Sequence, residues 1–456
     1  MLSTGLVAID ATILATAVPS IVADLGGFSL FPWLFSIYLL AQAVSVPVYA
    51  KLSDMIGRKP IILIGIGLFL LGSVLCGLAW SMPALIAFRV VQGLGAGAVQ
   101  PMSITIAGDI YTLAERAKVQ GYLASVWGIS SVVGPTLGGV FSQFLSWRWI
   151  FFVNIPLCLI AALMIWRNFH ESVERRPHRV DYLGAVLLTA SLTLLILAVL
   201  EGGQAWAWNS PQSIGAFALG AVLLGLFVLA ETRAAEPILP LWVFSRRLLL
   251  TTTLVSIGVG AILIGLTSYV PTYLSGSLGT TPIVAGLALA ALTIGWPIAA
   301  AQSGRLYLRI GFRNTAMIGV VFVVLGTVVL AAFTGSPSVA TVAVSCFVIG
   351  LGLGFVASPS LIAAQSSVEW HERGVVTGTN LFARSMGSAV GVAIFGAVAN
   401  SIFAASGRSE ADVATIETAS SAVFVAVAIA AVATVAAVLS MPRTPPQGAR
   451  GVSARS

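Results

Sequence analysis

Apolar residues run through this chain in long stretches, separated by short segments that hold most of the charge. A helix that crosses a bilayer needs about 20 apolar residues, because about 30 Å of hydrocarbon is covered at 1.5 Å per residue. Runs of that kind fall at 2–23, 32–50, 61–79, 83–107, 119–141, 149–167, 182–200, 212–231, 249–274, 282–302, 315–334, 338–365, 377–404 and 419–440. The pattern predicts an all-α membrane protein with 14 transmembrane helices. An even number of crossings places both termini on one side.

Composition removes the alternatives. A length of 456 residues would by itself suggest about three soluble domains. Hydrophobic residues make up 58% and charged residues only 9%, against roughly 25% charged in an ordinary globular chain. Mean hydropathy is +1.00. So few charges cannot cover a soluble fold of this size, which also excludes a disordered chain, a secreted disulfide scaffold and a nucleic-acid-binding module. The first run reads as a spanning helix rather than a cleavable signal peptide.

The net charge of +7 reports orientation. Phosphate-reading surfaces cluster Lys and Arg on one face, whereas the three Lys and twenty Arg here stand singly between apolar runs. Nineteen of them, from Lys51, Arg58 and Lys59 through Arg175, Arg176 and Arg179 to Arg443, Arg450 and Arg455, lie in loops after even-numbered helices or in the tail. The opposite face holds only Arg148 and Arg408, and Arg89 and Arg384 fall within helices. Lys and Arg are retained on the cytoplasmic side, so the even loops and both termini are expected in the cytoplasm, in a multi-pass protein of the cell (inner) membrane. Trp33, Trp80, Trp147, Trp206 and Trp208 at outer ends, and Trp166, Trp242 and Trp370 at inner ends, read as interfacial anchors. Cys76, Cys158 and Cys346 lie far apart inside apolar runs and read as small buried hydrophobes. His170, His178 and His371 fall in polar loops, so no metal site and no cofactor is expected.

The chain repeats itself. Residues 93–101 read GLGAGAVQP and residues 350–359 read GLGLGFVASP. At the same offset of 257, Ala114-Glu115-Arg116 falls on His371-Glu372-Arg373, Gly121 on Gly378 and Gly134 on Gly391. At offset 254, AKLSDMIGRK (50–59) falls on GRLYLRIGFR (304–313). Two six-helix repeats in the same orientation follow, with two helices inserted between them. The expected organisation is an N-terminal six-helix bundle at 1–169, a linker with two extra transmembrane helices at 170–248, a C-terminal six-helix bundle at 249–440 and a cytoplasmic tail at 441–456. Parallel repeats around a central cavity are an architecture of secondary transporters, with substrate near the midplane.

Ionisable groups inside the hydrocarbon are the candidate chemistry. Asp10 is the one acidic residue well inside a run, while Asp24, Glu201 and Glu231 sit at helix ends within reach of water. Burial disfavours a charged carboxylate, which makes Asp10 a candidate proton carrier and a counter-ion for a cationic ligand. The competing reading is a static ion pair or hydrogen bond. Arg89 cannot deprotonate and needs a carboxylate, a carbonyl or water. It either tunes a neighbouring carboxylate between conformations or makes a static pair, and the sequence does not say whether Asp10 is that neighbour. Arg384 is open between a functional role and snorkelling, and Trp127 and Trp296 read as packing aromatics.

The exit of the second helix, 50–59, places Asp54 and Arg58 close enough to pair, with Asp109 as a further partner for Arg58. Such a cluster could latch the halves in one state and release them in the other. In the fifth helix Pro135 removes a hydrogen bond and favours a kink, and Gly134 and Gly138, next to Gly139, form a face for close helix approach. GLGAGAV lies inside a spanning helix with no preceding strand, and no GxxxxGK[ST] occurs. No ATPase domain is therefore expected in this chain.

Together these residues resemble the major facilitator superfamily, and within it the fourteen-helix drug:proton antiporter family. The loop 50–59 resembles motif A, with Ala50 where Gly is usual; LIAFRVVQGLGAG resembles motif B and places its arginine at Arg89; GISSVVGPTLGG (128–139) resembles motif C, the antiporter motif. AIDATILATAVPSI (8–21) and WRWIFFVNIP (147–156) resemble two signatures of the fourteen-helix branch. The resemblance implies a twelve-helix core plus two additional helices, exporting lipophilic or cationic compounds in exchange for protons. It implies a proton or cation role at Asp10, proton coupling at Arg89, gating at Asp54 and Arg58, and a hinge at Gly134-Pro135. Two departures stand out. The chain begins almost inside its first helix without a basic segment, so a start upstream of Met1 is an open expectation. Leu308 stands in the second half where Asp54 stands in the first, so one half alone keeps the complete latch.

The expectation is a secondary transporter rather than an enzyme, since no His, Cys or carboxylate cluster converges on one site. The expected partners are a small-molecule substrate, protons and the lipid bilayer, without nucleic acid, and the chain is expected to act as a monomer. The rivals are a dedicated exporter of a metabolite, siderophore or lipid, and a non-transporting membrane sensor or scaffold.

Overall fold

The computed structural model describes residues 1–26, 30, 33–171, 181–202, 206–234, 237–240, 242–406 and 413–443. Arg175, Arg176, His178, Arg179, Arg408, Arg450 and Arg455 lie outside the described residues. Sixteen α-helices occur among those described: α1 (Leu2–Leu25), α2 (Trp33–Ile56), α3 (Arg58–Gly77), α4 (Met82–Ile110), α5 (Leu113–Phe144), α6 (Trp149–Phe152), α7 (Asn154–Asn168), α8 (Tyr182–Glu201), α9 (Pro211–Glu231), α10 (Trp242–Ser245), α11 (Arg247–Leu278), α12 (Pro282–Ile310), α13 (Phe312–Ala332), α14 (Val339–Ser366), α15 (Arg373–Ser406) and α16 (Val413–Ser440). With α6 and α7 as one span, thirteen helices are long and apolar enough to cross a membrane, and the bent α1 makes fourteen. The fourteen apolar runs and the all-α membrane architecture read from the sequence agree with this.

Helix ends follow local chemistry. Ser81, Ser210 and Thr281 cap α4, α9 and α12 with side-chain oxygens, each followed by a proline in the first turn, where a missing N–H costs nothing. Thr112 and Glu115 form a capping box at the start of α5. Between α2 and α3 the chain turns through Gly57 at φ 102°, and the repeat-related Gly311 turns α12 into α13 at φ 84°, a region open to glycine at little cost. The two turns share one conformation because the two halves share one loop sequence.

Packing repeats as the sequence does. In the first half α1 packs on α5, α2 on α4 and α3 on α4; in the second α11 packs on α15, α12 on α14 and α13 on α14. The halves meet along two seams, α2 against α15 and α5 against α12. Each half has its own apolar core, around Leu6, Tyr38, Phe69 and Met102 in the first and around Val259, Leu266, Ile349 and Phe424 in the second. The inserted helices α8 and α9 pack on each other, and α8 lies over the seam of α2 and α15. Large apolar side chains on the outer faces, such as Ile129, Leu159, Leu219 and Ile294, are exposed, as lipid-facing positions require.

Two expectations are corrected. Trp147 is buried rather than anchored at an interface, and its indole N–H donates to Asp24 at 3.0 Å. Glu231 is buried, not water-exposed, and accepts from the Ile238 and Leu239 amides at 3.0 and 3.4 Å. α1 bends by 51° between Leu2–Leu14 and Thr16–Leu25, and Pro135 lies inside α5.

Candidate functional site

Asp10 and Arg89 meet. The Arg89 Nη1 lies 2.6 Å from the Asp10 Oδ2, and both side chains are 1% exposed. The other carboxylate oxygen accepts from the Gln92 amide at 2.7 Å and the Asn154 amide at 3.3 Å. Arg89 donates further to the Gln92 Oε1 at 2.7 Å and the Leu34 carbonyl at 3.1 Å, and its guanidinium stacks 4.1 Å from the centre of the Tyr38 ring. Ser73 accepts from Gln92 and Asn154 at 2.9 and 3.4 Å. Five helices, α1, α2, α3, α4 and α7, therefore close on one buried ion pair.

Helix contact makes this possible. A Cβ at Gly93 would sit 2.6 Å from the Tyr38 carbonyl oxygen, and one at Gly95 would sit 2.4 Å from the Phe69 nitrogen. The glycines of GLGAG thus bring α2 and α3 against α4, and so bring Tyr38 and Ser73 to the pair. Gly134 and Gly138 do the same for α5 on α1, where a Cβ would meet the Thr12 hydroxyl and the Ile13 carbonyl. Thr12 donates to the Ser130 carbonyl at 2.8 Å and Thr16 to the Pro135 carbonyl at 3.3 Å. A Cβ at Gly139 would meet nothing within 4 Å, so Gly139 takes no part in this contact.

A second cluster ties the halves at the end carrying Lys51, Arg58 and Arg373. Arg58 reaches Asp54 at 2.7 Å and Asp109 at 3.1 Å, and is fully buried. It also donates to the Trp370 carbonyl at 2.6 Å, with the Trp370 ring 3.9 Å from its guanidinium carbon. Asp54 accepts from the backbone amides of Gly374 and Val375 at 2.9 and 2.7 Å, the free N–H groups at the start of α15. Asp109 completes the bridge to Arg373 at 3.0 Å. Residues of α2, α3 and α4 in one half thus hold the loop and first turn of α15 in the other. At the second copy of the loop the Tyr307 hydroxyl donates to the Leu113 carbonyl, and no carboxylate stands there, in keeping with Leu308.

Between the halves lies a cavity of about 320 Å³. Gln100, Gln120 and Trp127 line it from one half, and Trp296, Ser358 and Arg384 from the other. Asp10 is not on its wall; Thr4, six residues earlier in α1, is. Trp127 and Trp296, expected to be packing aromatics, both face this space.

Comparison with known proteins agrees with this architecture. The model of the Major Facilitator Superfamily matches residues 1–392. The chain belongs to the Major Facilitator Superfamily. It is therefore a membrane transporter and not an enzyme. The transporter is 37% identical over 396 residues to Multidrug resistance protein 3 of Bacillus subtilis (strain 168), covering 87% of this chain and 77% of that one. It is 34% identical over 406 residues to Multidrug transporter protein MdtP of the same strain, covering 88% and 75%. In fold it is similar to the human organic anion transporter MFSD10 (TETRAN), with a TM-score of 0.64 at 16% identity over 94% of this chain and 97% of that one. It is similar also to the proton:xylose symporter XylE, with a TM-score of 0.63 at 13% identity over 94% and 92%.

Several residues of the transporter's site escaped the sequence reading, two of them in the cross-half cluster. Trp370 and Arg373 were assigned to anchoring and to orientation, yet both belong to the cross-half cluster. The signal that finds Arg373 is the repeat itself, which sets it on Arg116 at the head of α5, the helix that stands in the first half where α15 stands in the second.

Proposed function

We propose that the transporter is a proton-coupled antiporter that exports lipophilic small molecules across the plasma membrane by alternating access, with the basic end of the bundle in the cytoplasm. The buried Asp10–Arg89 pair carries this reading. Asp10 is held by one charged donor and two amide donors. When a proton neutralises it, Arg89 keeps its charge and is left with the Gln92 and Leu34 oxygens and the Tyr38 ring. Losing one partner of a buried pair costs about 3–5 kcal/mol, enough to favour a different packing of α1 against α4. Because α1 also carries α5 through Thr12 and Thr16, and α5 forms a seam with α12, the change has a mechanical path to the interface between halves.

Asp54, Arg58 and Asp109 act in this reading as the cytoplasmic gate, shut here, and the Gly134, Pro135 and Gly138 segment as the joint between α1 and α5. Asp10 as counter-ion for a cationic substrate has no support from the cavity wall, so the reading keeps a lipophilic substrate and assigns Asp10 to the proton. One proton crossing a potential of 100 mV supplies about 2.3 kcal/mol, which supports a concentration ratio of roughly fifty for a neutral substrate.

Inside-out vesicles carrying a pH gradient test this with a panel of lipophilic compounds. Substrate-evoked proton movement in the wild type, absent from Asp10→Asn and Arg89→Ala at equal expression, is the expected result. Evoked movement that survives in Asp10→Asn overturns the assignment of the proton to Asp10. No movement with any compound overturns proton exchange.

A further inference from the structure

Among the described residues Arg384 is the only charged one on the cavity wall, and it is unsatisfied. Its Nε is buried without a hydrogen-bond partner. Among the described residues no hydrogen bond or ion pair joins its guanidinium, and its central carbon lies 5.8 Å from the centre of the Trp296 ring. This contrasts with the other intramembrane arginine, Arg89, which has a carboxylate, an amide oxygen, a backbone carbonyl and a ring. Arg384 lies eleven residues into α15 from the cross-half cluster at Arg373, or about 16 Å along the helix, and so stands deep between the halves. The cavity wall holds no carboxylate, and its remaining polar groups, Thr4, Gln100, Gln120, Thr293 and Ser358, are neutral. The Thr4 hydroxyl is also buried without a partner.

From this we infer that the central cavity selects organic anions: lipophilic, aromatic-bodied molecules bearing one carboxylate, sulfonate or comparable acceptor, which pairs with Arg384 while the body lies between Trp127 and Trp296. The inference rests on the transport reading above and narrows its substrate class. Guanidinium does not lose its proton at any relevant pH, and a charge in low dielectric is tolerated only when paired or hydrated. A ligand that fills this space displaces the water that solvates Arg384. A cation or a wholly apolar molecule gives nothing back, whereas an anion replaces hydration with a charge-assisted hydrogen bond. The offset of 257 that relates the halves sets Arg384 against Trp127. The two halves thus place an aromatic face and a cation at equivalent positions on opposite walls, as a molecule with a flat body and one charged end requires. Leu123, Leu263, Leu292 and Leu361 add apolar surface to the wall.

Equilibrium dialysis of the full chain in phosphatidylcholine nanodiscs tests the inference with three probes of one body: biphenyl-4-carboxylate, biphenyl-4-carboxamide and biphenyl-4-ylmethylammonium. The carboxylate should bind about tenfold or more tighter than the ammonium probe. Arg384→Gln should remove that preference by weakening the carboxylate alone, Arg384→Lys should restore part of it, and Trp296→Leu should weaken all three probes alike. An ammonium probe bound as tightly as the carboxylate, an equal loss of all three probes in Arg384→Gln, or no binding of any probe to the wild type overturns the assignment. The same probes in the vesicle assay separate the two readings. A carboxylate that binds with the expected preference but evokes no proton movement removes the exchange and keeps the site; proton movement evoked by other compounds without any charge preference removes the site and keeps the exchange.

Discussion

A carboxylate and a guanidinium 2.6 Å apart at the centre of five helices form a unit whose members cannot be judged singly. Asp10→Ala and Arg89→Ala should each lower stability by about 3–5 kcal/mol, because each leaves the other charge buried and unpaired. The double variant Asp10→Ala with Arg89→Ala should be more stable than the two single losses add up to, by about 1 kcal/mol or more. Thermal unfolding in one detergent, run on all four forms of that cycle, measures this coupling, and strict additivity would mean that the pair contributes nothing as a pair. Asn154 and Gln92 share the second carboxylate oxygen, so Asn154→Ala should reduce evoked proton movement only in part. Asp10 and Arg89 were visible in the sequence as charges in oil; that they bond to each other was not, because 79 residues of chain separate them. Gln92, Ser73 and Asn154 were invisible as members for a plainer reason: neutral amides and hydroxyls are common enough in membrane helices to carry no signal alone.

Glycines distinguish the elements that must touch from those that only neighbour one another. A methyl group at Gly138 would meet the Ile13 carbonyl oxygen at 2.4 Å, and one at Gly139 would meet nothing. Gly138→Ala should therefore push α5 from α1 and impair export, while Gly139→Ala should leave the unfolding midpoint unchanged or slightly raised, as a helix-interior alanine does. Parallel unfolding and vesicle assays check both. At the cross-half cluster a methyl at Gly374 would meet the Asp54 Oδ1 at 2.5 Å and the Ala50 carbonyl at 2.7 Å. Gly374→Ala and Asp54→Asn should both loosen α2 from α15, and a cysteine introduced at Ser358 in the cavity should then react several-fold faster with a membrane-impermeant thiol reagent added from the basic end. The glycine patterns were legible in the sequence because small residues at four-residue spacing have few other uses. The bend in α1 was not, because the angle between two parts of a helix is set by the packing of its neighbours and not by a residue type that can be read off alone.

At the scale of the whole molecule, length, run spacing and internal repeat made the fold legible almost completely, because a bilayer permits few solutions for fourteen apolar stretches. The substrate charge inferred above differs from the one that sequence reading expected. That reading looked for a counter-ion in the single buried acid, whereas the structure hides that acid in the first half and turns an arginine toward the shared cavity. The energetic consequence can be measured. A neutral molecule exchanged for one proton moves one charge, and a monovalent anion moves two, so the membrane potential should contribute about 4.6 rather than about 2.3 kcal/mol per 100 mV. Transport of biphenyl-4-carboxylate into inside-out vesicles under imposed potassium diffusion potentials should show about twice the slope, in log accumulation against potential, of a neutral substrate. Equal slopes would argue against an anion crossing in exchange for one proton.

The inserted pair breaks the symmetry of the repeat in one further respect. With α8 lying over the seam of α2 and α15, an amphiphile dissolved in the membrane finds that side roofed, whereas the opposite seam of α5 and α12 carries no inserted helix and presents Ile129 and Ile294 directly to the acyl chains. Entry from the bilayer is expected on that side alone: bulky substitutions along the α5–α12 margin should slow uptake of compounds that partition into lipid, and leave those arriving through water at their ordinary rate.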